Sequence, residues 1–308
     1  MYNFFLEGAY IMNRIKFRLY PVLMASALFL ALAPGGVSQA QASTIYTPKA
    51  DGTVVYTSAK AVIDASHTSD GYVMVKYTGS NPKVKLRIQK DTEYTYDITA
   101  SGDYVTFPLT EGSGSYTVKV FENVSGTSYA QAVSQTIQVN IASDTTPFLY
   151  PNQFCNFNAD SNVVTVSDTI TSGMTDPLKK VEAIYNYAVD NITYDNQKAA
   201  TVQSGYLPNV DATLAQKKGI CFDYAAVMTS MLRAQGIPTK LVIGYAGNVY
   251  HAWVSVYIQG QGWVDNIIYF DGTDWKLMDP TFVSSGKKSA EVLNYVSNPA
   301  NYRQKFCY

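Results

Sequence analysis

Histidine is scarce in this chain: His67 and His251 are its only two among 308 residues. Cysteine is nearly as rare, at Cys155, Cys221 and Cys307, and no two cysteines stand in a CxxC pair. With so few soft ligands and no close spacing between them, the sequence offers no metal constellation. His67 sits in a Ser/Thr/Asp turn with no second histidine or cysteine nearby, so it reads as a surface residue. Charge is sparse too. Asp, Glu, Lys and Arg make up 15% of the residues and leave a formal charge of −1, without the basic footprint of a nucleic-acid partner. A phosphate-cradling glycine loop and a dinucleotide fingerprint are also missing, so no cofactor is implied.

Long hydrophobic runs are absent apart from residues 22–32 (VLMASALFLAL), which are too short to span a bilayer comfortably. Arg14, Lys16 and Arg18 precede this run, and Ala40-Gln41-Ala42 follows it as a small-x-small site. The three features together read as a cleaved signal peptide over 1–42, which makes the mature protein secreted or cell-surface with no membrane span. Export permits disulfides, and three cysteines allow three pairings. Pairing Cys155 with Cys307 would tie the ends of the second half together and spare Cys221; the sequence does not decide between them.

What is plentiful is apolar and aromatic residues, 47% and 13%, with 25 tyrosines. From residue 44 to 141 the pattern has period two: Val84, Leu86 and Ile88 alternate with Lys85, Arg87 and Gln89, and Tyr116, Val118 and Val120 with Thr117 and Lys119. About seven short strands, punctuated by turns such as Asn81-Pro82 and Ser101-Gly102-Asp103, predict an all-β immunoglobulin-like sandwich over 43–142. The polar, proline-punctuated segment 143–151 (SDTTPFLYP) reads as a linker to a second domain, 152–308.

There the texture becomes helical. Asp176-Pro177 predicts a helix start, followed by Leu178, Val181, Ile184 and Ala188 on one face. A second helix is expected from Cys221, with Ala225, Met228, Met231 and Leu232 inward and Gly236 just past its end. Strands follow at 239–245 and 251–258, and Asp271-Gly272 signals a hairpin. The layout is α+β.

Cys221 opens a helix, where the positive end of the helix dipole and free N–H groups favour a thiolate. His251 opens a strand and suits a general base. Asp279, held extended before Pro280, suits the carboxylate that orients the imidazole, with Asp265, Asp271 and Asp274 as rivals. Trp253 lies on the His251 face, lining a cleft or simply filling core. Each residue also has a plain structural reading: a buried cysteine, a core histidine, an Asp-Pro turn.

Gly219-Ile220-Cys221-Phe222-Asp223-Tyr224-Ala225, Leu232-Arg233-Ala234-Gln235-Gly236-Ile237-Pro238, Gly244-Tyr245, His251-Ala252-Trp253-Val254, Gly262-Trp263 and Asp279-Pro280-Thr281 closely resemble the core of the transglutaminase-like superfamily. The resemblance implies a papain-like α+β fold with Cys221 as nucleophile, His251 as base and Asp279 as orienter, working through a thioester on protein or peptide amides, with cell-wall-associated substrates among the partners to be expected. Amine would resolve the thioester in a transglutaminase, and water in a thiol protease or amidase. By position, the Cys221 backbone N–H, the Tyr194 hydroxyl and Gln216 are oxyanion candidates. The chain lacks the added barrels and calcium sites of the animal cross-linking enzymes, and without CxxC pairs it departs from the zinc-containing glycanase branch. Two other classes remain expected alternatives: a non-catalytic wall-binding protein that keeps the fold, and a β-sandwich adhesin.

Overall fold

Alternation in the first half becomes pairing. The computed structural model describes residues 45–265, 269–270, 275–276, 280–281 and 298–308. Residues 1–42, read from the sequence as a signal peptide, and Asp279 therefore lie outside the described residues. Eight strands run β1 (Val55–Thr57), β2 (Ala61–Asp64), β3 (Tyr72–Tyr77), β4 (Val84–Gln89), β5 (Glu93–Ile98), β6 (Val105–Pro108), β7 (Gly114–Ser125) and β8 (Ser128–Val139). They form two antiparallel sheets, ordered β1-β2-β3-β6 and β5-β4-β7-β8. The residues the period-two pattern marks as apolar are the buried ones. Ile63, Val75 and Phe107 from one sheet and Leu86, Val118 and Val120 from the other share a single buried cluster. Each such side chain contributes about 1.5–3 kcal/mol by leaving water.

A small ion cluster closes one end of this half. His67 Nδ1 lies 2.9 Å from Asp70 Oδ2 and its Nε2 lies 2.6 Å from Asp51 Oδ2, while the ring stacks on Tyr72. Burial opposes charging of the imidazole, but the hydrogen bonds to Asp70 and Asp51 outweigh it and raise its pKa above the ordinary 6.5. The stabilisation is thus complete below about pH 6.5 and is lost as pH rises through the folded-state value. Urea midpoints of wild type and His67→Gln should differ most near pH 6, by up to about 1 kcal/mol for a partly exposed cluster, and converge by pH 9.

The second half is α1 (Asn162–Ile170), α2 (Pro177–Asn191), β9 (Thr193–Tyr194), α3 (Asn196–Thr201), α4 (Val210–Gln216), β10 (Lys218–Gly219) and α5 (Cys221–Ala234), then β11 (Thr239–Ala246), β12 (Val249–Ile258), β13 (Gly262–Val264), β14 (Tyr269–Phe270), β15 (Trp275–Lys276) and β16 (Tyr302–Cys307). Asp176 caps α2 by accepting the Leu178 N–H at 2.9 Å, and Val181, Ile184 and Ala188 are buried as their spacing requires. β13-β12-β11-β16 is an antiparallel sheet, and β14 pairs with β15 across the expected hairpin. The central helix α5 is buried at every residue from Asp223 to Ala234. It packs on α1, α2 and α4 and on β11 and β12. A helix enclosed in this way tolerates no polar face, so its one guanidinium must be satisfied internally.

Arg233 is that group. It is fully buried and donates to the Thr239 carbonyl (3.0 and 2.7 Å), the Tyr308 carbonyl (2.7 Å), the Tyr150 carbonyl (2.5 Å) and Cys155 Sγ (3.2 Å). One side chain thereby joins α5 to β11, β16 and the segment before α1. The Cys155–Cys307 pairing, one of the three the sequence leaves open, is not formed; all three cysteines are free. Cys155 Sγ is instead turned to Arg233, and Cys307 Sγ faces the Tyr94 hydroxyl at 3.9 Å.

Segment 143–151 is no solvated tether. Its Thr146–Phe148 turn buries Phe148 against Val242, Trp253 and Cys307, edge-on to Trp263 at 5.0 Å. Tyr94 and Tyr96 of β5 also pack on Phe154, Phe306 and Tyr308, so the two halves share an aromatic seam. All described residues fall in one compact unit, Ala40–Tyr308. No helix among them is long and apolar enough to cross a membrane.

Candidate active site

The site is assembled around the start of α5. Ile220 is extended (φ −94°, ψ 175°) and Cys221 is the first helical residue, its side chain half-buried. Asp223, at the third helical position, reaches back to accept the Ile220 N–H at 2.9 Å and so fixes where the helix begins. Gly219 is required beside it, because a Cβ there would lie 2.7 Å from Asp223 Cβ. The first N–H groups of a helix have no intrahelical partner, so Cys221 begins the helix among donors able to face a developing oxyanion.

Tyr194 reaches this point through a parallel bridge. β9 pairs with β10 so that Tyr194 stands opposite Gly219, held by Asp195 N–H to the Gly219 carbonyl at 2.9 Å. Gln216 is placed differently: it ends α4 with an exposed side chain, and Lys217 turns the chain in the left-handed region (φ 52°). Of the two side-chain oxyanion candidates, Tyr194 is the one locked by pairing to the strand that enters α5.

His251 lies on β12, 5% exposed, paired with Gly244 of β11. Trp253 stacks on it with ring centroids 6.2 Å apart and 21° between planes. At 4% exposure, packed with Phe148, Val242 and Cys307, Trp253 is core that backs the imidazole rather than cleft lining. Gly244 explains how the indole fits: a Cβ there would lie 2.8 Å from Trp253 Cη2 and 2.1 Å from the Arg303 carbonyl oxygen of β16.

Tyr250, the chain neighbour of His251, is 55% exposed and lies edge-on to Tyr245 at 5.5 Å. Partial burial raises its phenol pKa, and the nearby Tyr245 and Cys221 raise it further. α5 and β12 pack against each other in the same half of the chain. Asp279 lies outside the described residues; Thr281, two residues on, is buried.

Three participants carried no signal as site residues in the sequence. Lys198 Nζ lies 2.6 Å from Asp223 Oδ2, and the Tyr206 hydroxyl donates to Asp223 Oδ1 at 2.5 Å. Their separation along the chain hides them from any local pattern. Among the described residues no group of three His, Cys, Asp or Glu side chains could hold a metal ion.

Residues 164–266 match the model of the transglutaminase-like superfamily. The match takes in α1 to β13, with Cys221 and His251 inside it. An uncharacterised protein, YebA of Bacillus subtilis (strain 168), is 29% identical over 148 residues, 42% of this chain. That alignment spans only 19% of YebA's own length. A proposed cysteine protease from Cytophaga hutchinsonii is similar at 16% identity and TM-score 0.40, covering 77% of this chain and 83% of its own. The periplasmic domain of TgpA from Pseudomonas aeruginosa is similar at 15% identity and TM-score 0.36, covering 75% and 98%.

Proposed function

We propose that the protein is an exported cysteine acyl-transfer enzyme acting on protein or peptide amide bonds through Cys221, His251 and Asp279. The observation that carries this reading is the placement of Cys221 at the first turn of a buried helix that packs on β12, the strand that bears His251. In this reading His251 takes the Cys221 proton and the thiolate attacks the amide carbonyl. The tetrahedral oxyanion is met by the Cys221 backbone N–H and the Tyr194 hydroxyl. Collapse gives a thioester as the imidazolium protonates the departing ammonia or amine. His251 then deprotonates the incoming water or amine, which releases the acyl group and restores the thiol. Asp279 holds the tautomer, and Trp253 keeps the imidazole in plane.

The same proposal assigns 1–42 as the leader, 43–142 as an immunoglobulin-like domain, 143–151 as its connection and 152–308 as the catalytic domain. Two antiparallel four-stranded sheets with chain crossings between them support the immunoglobulin-like assignment. The first domain would dock protein or cell-wall partners.

The test is to incubate the mature chain and Cys221→Ala with a glutamine-rich protein and a labelled primary amine. Cysteine-dependent label incorporation means a transglutaminase. Cysteine-dependent new termini or ammonia without label means a thiol hydrolase. If neither appears and the thiol is also unreactive, the protein is a binding module that keeps the fold.

A further inference from the structure

The cluster of Asp223, Lys198 and Tyr206 lies one helical turn from Cys221, and no step of the proposed chemistry uses it. Asp223 is completely buried, whereas Lys198 keeps 28% of its side-chain surface exposed. Lys198 Nζ bridges Asp223 Oδ2 (2.6 Å) and the Tyr206 hydroxyl oxygen (2.5 Å) and lies 4.3 Å from the Tyr206 ring centroid. Tyr206 donates to the other carboxylate oxygen, and the backbone N–H of Ile220 supplies a third donor. The carboxylate thus accepts three hydrogen bonds, two on Oδ2 and one on Oδ1, from α3, the loop after it and the helix entry.

The arrangement raises an electrostatic question. A buried carboxylate two residues from Cys221 opposes a thiolate, and it would offset the positive end of α5. Capping by Asp223 therefore helps the helix and harms the nucleophile unless its charge is cancelled. Lys198 is the only cation bonded to it among the described residues. Burial disfavours the lysine charge, but the bonds to Asp223 and Tyr206 outweigh burial and raise its pKa. Burial, then the bond to Asp223, raises that of Tyr206, which stays neutral.

The other ionisable groups around the start of α5 do not supply the missing charge. Asp195 and Lys218, flanking the β9–β10 bridge, pair with each other at 3.2 Å. Tyr250 of β12 has its phenol pKa raised by burial and stays neutral, and His251 is the base itself.

Building on the catalytic reading of Cys221, we propose that Lys198 is a positioning residue that neutralises Asp223, allowing one carboxylate to cap α5 without suppressing the Cys221 thiolate. Tyr206 completes the clasp and ties the chain between α3 and α4 to the helix start.

The test is the rate of Cys221 alkylation by iodoacetamide from pH 5 to 10, read by peptide mass spectrometry, in wild type, Lys198→Met, Asp223→Asn and the double variant. Lys198→Met should react about tenfold more slowly at pH 7, with the deficit closing as pH rises to 10. Asp223→Asn, which leaves the Lys198 charge uncancelled beside Cys221, should react faster than wild type at pH 6, and the double variant within about twofold of wild type. Lys198→Arg, which keeps the charge, should track wild type. A Lys198→Met profile that superimposes on wild type overturns the proposal. If Lys198→Met does not fold, Asp223→Asn decides: faster alkylation than wild type at pH 6 supports the clasp, and an identical profile overturns it. The catalytic reading fails separately, if wild-type Cys221 reacts no faster than a cysteine in an unstructured peptide.

Discussion

Replacing Cys221 by alanine leaves a folded protein whose cysteine-dependent turnover falls by at least about a thousandfold, and His251→Ala falls comparably. The fold survives because alanine is the best helix former at an interior position of a first turn, and Cys221 is only half-buried. Turnover does not survive under the proposed mechanism, in which the thiol supplies the covalent bond and the imidazole moves every proton in both half-reactions. The two losses should not add. Once the nucleophile is gone there is no thioester for the base to resolve, so the double variant matches the worse single one. Circular dichroism with label incorporation and ammonia release on the same preparations checks both halves of this expectation.

The largest loss of stability should come from a residue far from the chemistry. Arg233→Ala is expected to cost roughly 3–5 kcal/mol, enough to move the urea midpoint far down or to prevent folding. The guanidinium is completely buried and serves the carbonyls of Tyr150, Thr239 and Tyr308 at once. Truncation leaves those oxygens in an apolar setting with a cavity between them. Lysine should rescue little, since one ammonium cannot reproduce a planar fork that reaches three segments. Urea unfolding of Arg233→Ala and Arg233→Lys measures this directly.

These two residues mark what the sequence makes legible. Cys221 could be found because its local signals agree: Gly219 before it, an apolar helix after it, and Gly236 at φ 72° closing that helix. The strands around Val84 and Val118 and the capped start of α2 were equally readable, since period and capping act over a few residues. Arg233 reads as an ordinary basic residue near a helix C-terminus, because its acceptors come from residues 150, 239 and 308. The Asp223–Lys198–Tyr206 clasp is hidden for the same reason.

Other elements exist only by tertiary support. α1 is rich in β-branched residues, yet it is helical because the Asp211 carboxylate accepts the N–H groups of Asn162 and Val163 at 3.0 and 2.9 Å. Ser167 adds a bond to the Met231 carbonyl of α5 at 3.0 Å. β16 has no clear alternation of its own and becomes a strand by pairing with the edge of β11. Cysteine count suggested a disulfide, but the guanidinium beside Cys155 provides the cross-link by hydrogen bonding instead.

The central claim is that Cys221 is an activated nucleophile served by His251. The most direct measurement is competitive labelling of the three thiols with trace iodoacetamide at pH 7, in wild type and His251→Ala. Burial pushes the Cys155 and Cys307 thiols up and shields them, so they serve as internal references. The account predicts that Cys221 is labelled at least tenfold faster than either and faster than a model thiol, and that His251→Ala removes most of this advantage. Labelling of Cys221 at the model-thiol rate, unchanged by His251→Ala, would contradict it.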